Sequence, residues 1–588
     1  MRVLNWAFVQ PDQLDSYAAG KWLTLLSELP GTTGALAIPV FQQTGMVAGP
    51  LDLILAVAER LAQIARLPLF ALPGIIETSV EAGHILKARL ALPMADSASG
   101  EQWRALLEAG QRICRWIADH PKMSPDRSDH RRAYFDFVAT QLATLPQPVG
   151  GKSIYHILKA AYLAGIPAMH IAGTVYQLGW GAKARRVDRS ITDHEGLIGA
   201  RLTQNKVLTA QLLHQAGLPC AFHACVTDIE PARQAANSIG WPVVIKPADA
   251  ERGEGVTVDV QPDQLATAFA RAVKASPAKR VLVERQVEGV CHRLFIAGGK
   301  LLYAVKRLPV GVYGDGQSRI AELVAAQAEL WASKAPWERD HIPTLDALAH
   351  VELARQGLTT AHIPLDGSFV SLRRIETTAS GGVDEDVTHL AHPENIRVAE
   401  AAARVAGLSV AGVDMISPDI TKPWFENGAI INEVNYAPML GEGLISRRHV
   451  GTYVERLVNG NGRIPVAVFV GSEDAFERAQ VQANLWHGQG LKAVITSHDQ
   501  TFTAVGTTII MPQVHLYDRV RALCLSPQTE ALAIVVADDA LVDTGLPLEG
   551  VDSVTFCEPV ANTTGSMIRR GQLLQLLEGW SWPTETKA

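Results

Sequence analysis

The chain has 588 residues, 47% of them hydrophobic and 19% charged, which is enough for about three or four domains with large cores. A formal net charge of −7 argues against nucleic acid as the main partner. The six cysteines include no C-x-x-C pair, so neither a zinc site nor a disulfide scaffold is indicated. No apolar stretch reaches ~18 residues and no signal-peptide pattern is present, so we predict a soluble cytoplasmic enzyme without a membrane partner.

The first part of the chain, residues 1–164, is predicted to form an N-terminal α/β domain. MRVLNWAFV at the start predicts a strand, and the apolar spacing of 51–68 and 101–120 predicts amphipathic helices. Four basic residues then lie close together between acidic ones: Arg127, His130, Arg131 and Arg132. A solvated helix start and a patch for an anionic ligand both fit this pattern.

Two lysines and a glycine-bearing loop follow along the chain. Lys206 lies in a predicted amphipathic helix, where a solvated residue and a phosphate contact both fit. Lys246 ends a buried apolar strand, and a lysine in that position needs a counter-charge or its pKa shifts. Gly253 and Gly255 in the next loop let backbone N–H groups approach an anion, although an ordinary turn explains the two glycines equally well.

Residues 279–309 are predicted to form three strands joined by turns. Glu284 ends the first of these strands, where backbone groups could clasp a nucleotide base. Arg293, Arg307 and Arg373 lie at strand ends or in adjoining loops. Their guanidinium groups suit bidentate recognition of phosphate or carboxylate, while each of them taken alone also fits a surface ion pair.

Two short strands about seven-tenths of the way along the chain hold three oxygen-bearing side chains. Glu433 and Asn435 point to the same face because strand side chains alternate, and Asp414 lies on the neighbouring predicted strand. Carboxylate and amide oxygens are the ligands that Mg²⁺ prefers, usually with water and phosphate in its remaining positions. The three residues therefore predict a magnesium site, with solvated acids at strand ends as the alternative.

In this order, the residues named above resemble the ATP-grasp carboxylate–amine ligases. The finer resemblance is to the ATP-grasp module of cyanophycin synthetases, and four segments carry it: YQLGWGAKARRV (176–187), GDGQSRIAEL (314–323), HPEN (392–395) and NEVNYAP (432–438). It covers about residues 165–462, which we predict to be the catalytic domain. The expected fold class is α/β, with an α+β ATP-grasp core between an N-terminal domain at 1–164, a possible polymer- or substrate-binding domain, and a small α/β domain at 463–588.

The resemblance implies that a carboxylate is activated by ATP as an acyl phosphate, which an amine then converts to an amide. The implied site residues are nucleotide contacts at Lys206, Lys246, Gly253, Gly255 and Glu284, Mg²⁺ ligands at Asp414, Glu433 and Asn435, and catalytic arginines at Arg293, Arg307 and Arg373. The implied partners are an amino acid or dipeptide and a peptide or polymer acceptor, in a homo-oligomer with a partner ligase. A glutathione-synthetase-like small-peptide ligase and a non-catalytic, peptide- or polymer-binding pseudoenzyme remain alternatives.

Three departures from the family pattern limit what the resemblance implies, the first two for the nucleotide site and the third for the substrate. Cys291 stands where an acidic side chain usually meets the ribose, and a thiol is a poor partner for hydroxyl groups. Arg252 and Glu254 replace a His and an Arg in the glycine loop. Glu195 and Gly196 replace a Thr-Ser pair near the growing end of the substrate. We therefore predict that alternate addition of aspartate and arginine is poor, and that a preformed β-aspartyl-arginine unit or another amino acid is used.

The C-terminal part, 463–588, departs furthest from the family. Cyanophycin synthetases continue here into a Mur-ligase module with a phosphate loop, but this chain has GSEDAFE at 471–477. Ala475 stands at the lysine position, and Glu473, Asp474 and Glu477 would repel a triphosphate. We predict a degenerate Mur-ligase-like α/β domain, kept for packing or assembly, and one ATP site per chain.

Overall fold

The computed structural model describes residues 2–9, 21–22, 25–26, 50–70, 74–81, 85–92, 100–147, 150–250, 254–336, 343–374, 382–458, 460–471, 473–557, 573 and 577. Gly253 and Arg252, both named above, lie outside these residues. The chain divides into two compact units. The terminal unit comprises Met1–Arg189 and Leu457–Ala588, and the middle unit comprises Ser190–Arg456. The middle unit lies within the predicted catalytic domain, 165–462, whose boundaries remain a prediction.

The terminal unit begins with an antiparallel sheet of order β1-β3-β2, followed by helices and a second small sheet. Its elements up to residue 188 are β1 (Arg2–Val9), α1 (Pro50–Ile64), β2 (Gly74–Glu81), β3 (Ile85–Leu92), α2 (Gly100–Asp119), α3 (Ser128–Leu142), α4 (Gly151–Leu163), β4 (Ala168–Ala172), β5 (Val175–Leu178) and β6 (Arg185–Asp188). Ile54, Val57 and Leu61 recur on one face of α1 and are fully buried, as the predicted amphipathic pattern requires. Gly110 lets α2 approach α1, since a Cβ there would lie 2.9 Å from the Ile54 carbonyl oxygen.

Two of the basic residues near position 130 make local contacts at the start of α3. The Arg127 Nη2 atom lies 2.7 Å from Asp129 Oδ2, and His130 Nδ1 accepts a hydrogen bond from the Ser124 backbone N–H at 3.0 Å. Arg131 and Arg132 are exposed. These local contacts favour the solvated helix start over an anion-binding patch.

The middle unit contains two larger sheets and a two-stranded sheet, β14-β15. Its strands are β7 (Ile191–Thr192), β8 (His223–Val226), β9 (Val243–Pro247), β10 (Thr257–Val260), β11 (Val281–Arg285), β12 (Val290–Ala297), β13 (Lys300–Leu308), β14 (Gly311–Tyr313), β15 (Phe369–Ser371), β16 (Val383–Asp386), β17 (Val410–Ser417) and β18 (Ile430–Tyr436). Its helices are α5 (Leu197–Thr203), α6 (Lys206–Gln215), α7 (Ile229–Ile239), α8 (Leu265–Ala275), α9 (Ile320–Ser333), α10 (Ala347–Arg355), α11 (Pro393–Val405), α12 (Trp424–Asn427), α13 (Leu444–Arg448) and α14 (Val450–Leu457).

Of the two larger sheets of the middle unit, the one of order β10-β9-β11-β8 carries Lys246 and Glu284. The one of order β16-β13-β12-β17-β18 carries Arg293, Arg307, Asp414, Glu433 and Asn435. In the five-stranded sheet, which we call the central sheet, one face is buried against α11. Leu294, Ile296 and Val413 belong to that buried core. Because strand side chains alternate, Arg293 and Asp414 point to the opposite face.

The terminal unit is completed by a sheet of order β21-β20-β22-β19-β23, parallel except for β21. Its elements are β19 (Val466–Val470), α15 (Glu473–Gly488), β20 (Ala493–Thr496), β21 (Thr501–Thr503), α16 (Leu516–Leu525), β22 (Ala531–Val536), α17 (Leu541–Thr544) and β23 (Ser553–Phe556). The mixed α/β fold class is confirmed. Within the part of the chain that the structure describes, no helix is both long and apolar enough to cross a bilayer.

The C-terminal sheet packs against the β4–β6 hairpins of the same unit. The backbone N–H of Trp180 donates to the Gly462 carbonyl at 2.8 Å, and the side-chain amide of Gln177 donates to the Cys524 carbonyl at 2.9 Å. Trp180 and Met169 lie in the same buried cluster as β19 and β22. The predicted degenerate domain therefore packs against the segment YQLGWGAKARRV, which carries part of the family resemblance.

We expect Gly181→Ala to destabilise the terminal unit more than Gly173→Ala does. Both glycines have positive φ, +57° and +54°, so alanine costs about 1–2 kcal/mol at either position. A Cβ at Gly181 would also lie 2.1 Å from the Thr529 carbonyl oxygen, whereas nothing lies within 4 Å of one at Gly173. Relieving that clash should cost about 1–3 kcal/mol more. Urea unfolding of the two variants measures the difference, and equal midpoints would contradict the packing described here.

Candidate functional site

A row of charged side chains crosses the face of the central sheet opposite α11. Glu433 on β18 pairs in register with Asp414 on β17, and Asp414 pairs with Arg293 on β12. Residues paired directly across a sheet share a face and have Cβ atoms about 4.5–5.5 Å apart. Asn435 lies on the same face two residues after Glu433. The structure thus brings together the three predicted metal ligands and one of the predicted arginines.

Asp414 is the centre of this row. Arg293 donates to both of its oxygens, from Nε to Oδ1 at 2.7 Å and from Nη2 to Oδ2 at 2.6 Å. Asn435 donates from Nδ2 to Oδ2 at 3.1 Å, and Arg307 Nη1 lies 3.9 Å from the same oxygen. Burial alone would lower the pKa of Arg293, but the Asp414 carboxylate raises it above its ordinary value. The pair is therefore a charged, bidentate one with little exposure, 19% for the arginine and 6% for the aspartate.

The acceptor sites that remain decide whether a metal ion fits. Asp414 Oδ2 already accepts two hydrogen bonds, but Oδ1 accepts one and keeps a lone pair. Glu433 makes no hydrogen bond or ion pair to a described residue, and Asn435 has its carbonyl oxygen left over. These three oxygens fit Mg²⁺, which usually takes one or two carboxylates plus water and phosphate. Among the described residues, no group of three or more His, Cys, Asp or Glu side chains is placed to hold a metal ion.

The second predicted group lies on the four-stranded sheet. Lys246 Nζ on β9 is 2.7 Å from Glu284 Oε2 on β11, and both side chains are only 12% exposed. This ion pair provides the counter-charge that a lysine at the end of a buried strand requires. Lys206, the first residue of α6, donates from Nζ to the Ala250 carbonyl at 2.9 Å. Lys206 therefore contacts the connection between β9 and β10, and Lys246 lies on the strand that leads into it, paired with Glu284 on β11.

Gly255 closes the same connection. Its φ is +73°, and a Cβ there would lie 2.6 Å from the Ala275 Cβ, so glycine is needed for conformation and for space. This packing explains Gly255 without a ligand, and contact with phosphate stays a prediction.

Arg373 is not brought into the Asp414 row. Its Nη2 atom lies 2.7 Å from Asp346 Oδ2, at the start of α10, and its Nη1 donates to the Leu372 carbonyl. The neighbouring Arg374 pairs with Asp259 on β10. A catalytic role for Arg373 stays a prediction, which would require it to leave Asp346.

Glu195 has a structural use that its sequence position did not suggest. Its carboxylate accepts hydrogen bonds from the backbone N–H groups of Ser409 at 2.7 Å and Val410 at 3.1 Å, at the start of β17. Burial raises the pKa of Glu195, and these hydrogen bonds oppose the shift. With both oxygens engaged, Glu195 is not available as a free negative charge for a substrate.

Sequence reasoning missed two features of this face of the central sheet. Phe295 and Tyr303 stack with ring centroids 5.2 Å apart, and Tyr303 stacks on His449 at 5.1 Å. Asp384 on β16 pairs in register with Arg307 and so lies on this face as well. Alternation along 383–386 could have indicated the face of Asp384 relative to Asp386, but not the strand beside it.

His292 gives the middle unit a pH dependence of its own. It is 3% exposed, its Nδ1 has no hydrogen-bond partner among the residues that the structure describes, and burial lowers its pKa from 6.5. Below about pH 6.5, His292 therefore binds a proton more readily in the unfolded chain than in the folded one. The free energy of unfolding falls as the pH drops further. We expect the melting temperature of His292→Gln to fall less between about pH 7.5 and pH 5.5 than that of the unmodified protein. His362→Gln, at an exposed position, is the control, and parallel curves for all three proteins would contradict the assignment.

Comparisons with known proteins bear on the residues of both sheets. Residues 205–293, from α6 to β12, match the family model of the ATP-binding domain of the carbamoyl-phosphate synthase L chain. Cyanophycin synthetase of Trichormus variabilis is 30% identical over 366 residues, which are 60% of this chain and 40% of that synthetase. The resemblance to cyanophycin synthetases is confirmed. The matches also agree with the predicted class, an ATP-grasp ligase that binds ATP.

Other relatives are proteins of glutathione biosynthesis. The bifunctional glutathione biosynthesis protein of Mannheimia succiniciproducens is 32% identical over 262 residues, 43% of this chain and 34% of that protein. A crystal structure of a bifunctional glutathione synthetase from Pasteurella multocida is 26% identical and covers 61% of this chain and 49% of that one, with a TM-score of 0.41. The chain spans about two fifths of the length of the cyanophycin synthetases it matches.

Proposed function

We propose that the chain is an ATP-dependent, ADP-forming carboxylate–amine ligase with one ATP-grasp site in the middle unit. The observation that carries the proposal is the row Glu433, Asp414 and Arg293, in which carboxylates for a metal ion lie beside a fixed guanidinium group. Such a row suits the transfer of a phosphoryl group to a carboxylate, a reaction that depends on position and charge more than on covalent help from the protein.

The side chains would divide the work as follows. Lys206 and Lys246 bind the phosphates of ATP, and Lys246 exchanges Glu284 for a phosphate oxygen when the nucleotide arrives. Asp414, Glu433 and Asn435 would hold Mg²⁺, which when bound neutralises charge on the triphosphate. Arg293, fixed by Asp414, donates from its remaining N–H groups to the acyl phosphate.

The reaction would proceed in two steps. A substrate carboxylate oxygen forms a bond to the γ-phosphorus of ATP, ADP leaves, and an acyl phosphate remains. An amine nitrogen then bonds to the acyl carbon and phosphate leaves, which yields the amide. Arg307, on β13, lies near the same Asp414 carboxylate as Arg293 on β12 and orients the same acyl phosphate.

The proposed substrates are a peptide or polymer carboxyl end and an amino acid or dipeptide amine. Glu195 no longer supports this choice, because its oxygens bind backbone N–H groups. The support that remains is the turn after β19, where Glu473 and Asp474 occupy the first turn of α15. A second ligation site that uses ATP is therefore not expected, and a preformed β-aspartyl-arginine unit would replace two successive additions.

We expect the purified protein with ATP, Mg²⁺ and a short cyanophycin primer to release ADP with β-aspartyl-arginine but not with aspartate and arginine together. ADP release and primer length measure the outcome. A primer that is extended with both aspartate and arginine, supplied as free amino acids, would contradict the substrate assignment, because one ATP site would then serve two different additions.

A small-peptide ligase is the second candidate, favoured by the similarity to the glutathione biosynthesis proteins. γ-Glutamylcysteine with glycine is the discriminating substrate pair. ATP binding without ADP release for any pair would favour the non-catalytic alternative. A cytoplasmic homo-oligomer, acting with a partner ligase, belongs to the same proposal, and light scattering measures the oligomeric state.

A further inference from the structure

Asp384 lies at the edge of the central sheet, on the face that carries the candidate site. Arg307 on β13 pairs with Asp384 on β16, just as Val305 pairs with Asp386 and with Arg293. Paired residues share a face, so Asp384 and Arg307 lie on the same side of the sheet as Arg293. With strands about 4.8 Å apart, β16 lies roughly 10 Å from β12.

The contacts of β16 single out Asp384 among its three acids. Asp386 Oδ1 accepts from the Thr388 hydroxyl at 2.7 Å, and Glu385 lies 3.2 Å from Lys306 Nζ. Asp384 makes no hydrogen bond or ion pair to a residue that the structure describes. Although the residue as a whole is exposed, desolvation of its carboxylate raises the pKa of Asp384, and Arg307 and Arg293 oppose the shift.

An amine substrate needs a group of this kind. Amino-acid amines are largely protonated at neutral pH, and only the neutral amine is a nucleophile. Arg293 and Arg307 bring two guanidinium groups to this face, so an ammonium group beside them gains from a negative charge nearby. The charged or titratable groups with an electrostatic effect on Asp384 are Arg307, Arg293 and Asp414, so its carboxylate provides negative charge on the β16 side of the arginines.

We propose that Asp384 binds the ammonium group of the amine substrate and accepts one of its protons before the amide bond forms. This inference rests on the proposed ligase function. The neutral amine nitrogen bonds to the acyl carbon, the bond from that carbon to the phosphate oxygen breaks, and the second proton leaves with the phosphate. Asp384 then returns its proton to solvent.

Hydroxylamine separates this role from phosphoryl transfer. It is neutral near pH 7 and attacks an acyl phosphate without losing a proton first, giving a hydroxamate. We expect Asp384→Asn to form hydroxamate from the cyanophycin primer at the unmodified rate, but to form amide with the amine substrate at least about 100-fold more slowly. Asp384→Glu should recover part of the amide rate. Asp366→Asn, at an exposed acid in the loop before β15, should change neither rate.

The other results have distinct meanings. Unchanged amide formation by Asp384→Asn would overturn the role of Asp384. Equal loss of hydroxamate and amide would also overturn it, since Asp384 would then act through Arg307 or through folding. Absence of hydroxamate with the unmodified protein would contradict the proposed ligase function itself.

Discussion

Glu433→Gln is expected to lower ADP-forming turnover by about a thousandfold or more, with little change in melting temperature. Glu433 makes no hydrogen bond or ion pair to a described residue, so the neutral side chain should fit without loss of packing. Charge stabilisation by a bound metal ion is worth several kcal/mol of barrier, and each 1.36 kcal/mol corresponds to about tenfold in rate. ADP release at saturating ATP and Mg²⁺ measures the effect.

The matched control is Glu426→Gln on α12, an exposed glutamate on the short helix before β18. Its turnover should equal that of the unmodified protein. A folded Glu433→Gln protein with a normal rate would remove the assignment of Glu433 as a metal ligand. A normal rate for hydroxamate formation in the same variant would lead to the same conclusion without an amine substrate.

Asp414→Ala is expected to destabilise the middle unit by about 3–5 kcal/mol, because it leaves the Arg293 guanidinium buried without its counter-charge. The double replacement Arg293→Met with Asp414→Val should recover most of that loss, since two apolar side chains leave no unpaired charge. Urea midpoints, followed by hydrogen exchange of the β12 and β17 amides, measure the stability of this sheet. Loss of activity in Asp414→Ala therefore reports on folding as well as on metal binding.

Arg397→Ala provides the comparison for this pair. Arg397 and Glu394 lie 2.8 Å apart but are 61% and 38% exposed, and such pairs contribute about 1 kcal/mol or less. If Asp414→Ala lowered the free energy of unfolding no more than Arg397→Ala does, the Arg293–Asp414 pair would not be buried in solution.

Local patterns predicted the parts of the site that depend on one or two strands. Alternation along β18 put Glu433 and Asn435 on one face, and the apolar run of β9 put Lys246 at a strand end in need of a negative partner. The identity of the partners could not be predicted. Arg293 meets Asp414 across 121 residues of chain, and Glu284 meets Lys246 through the register of β9 and β11.

Strand register and inserted segments explain why the positions of the remaining site residues could not be predicted. Arg373 follows β15, whose two-stranded sheet has a small core of its own with α9 and α10, and there the arginine pairs with Asp346 instead of Asp414. Asp384 required knowledge that β16 lies beside β13. Glu195 was read from its place in a family pattern, while its contacts with Ser409 and Val410 depend on how the turn before α5 lies against the start of β17. In each case the deciding interaction joins segments that are distant in sequence.

The packing of β4–β6 against the C-terminal sheet sets an order for folding during synthesis. Residues 168–188 leave the ribosome long before Gly462, Cys524 and Thr529, which cover them in the finished protein. At about 5–20 residues per second, this interval lasts roughly tens of seconds. The middle unit can fold within that time. The apolar side chains of Trp180 and Met169 stay exposed until the C-terminal sheet has been synthesised and packs against them. The nascent chain should therefore depend on chaperones most strongly between these two events.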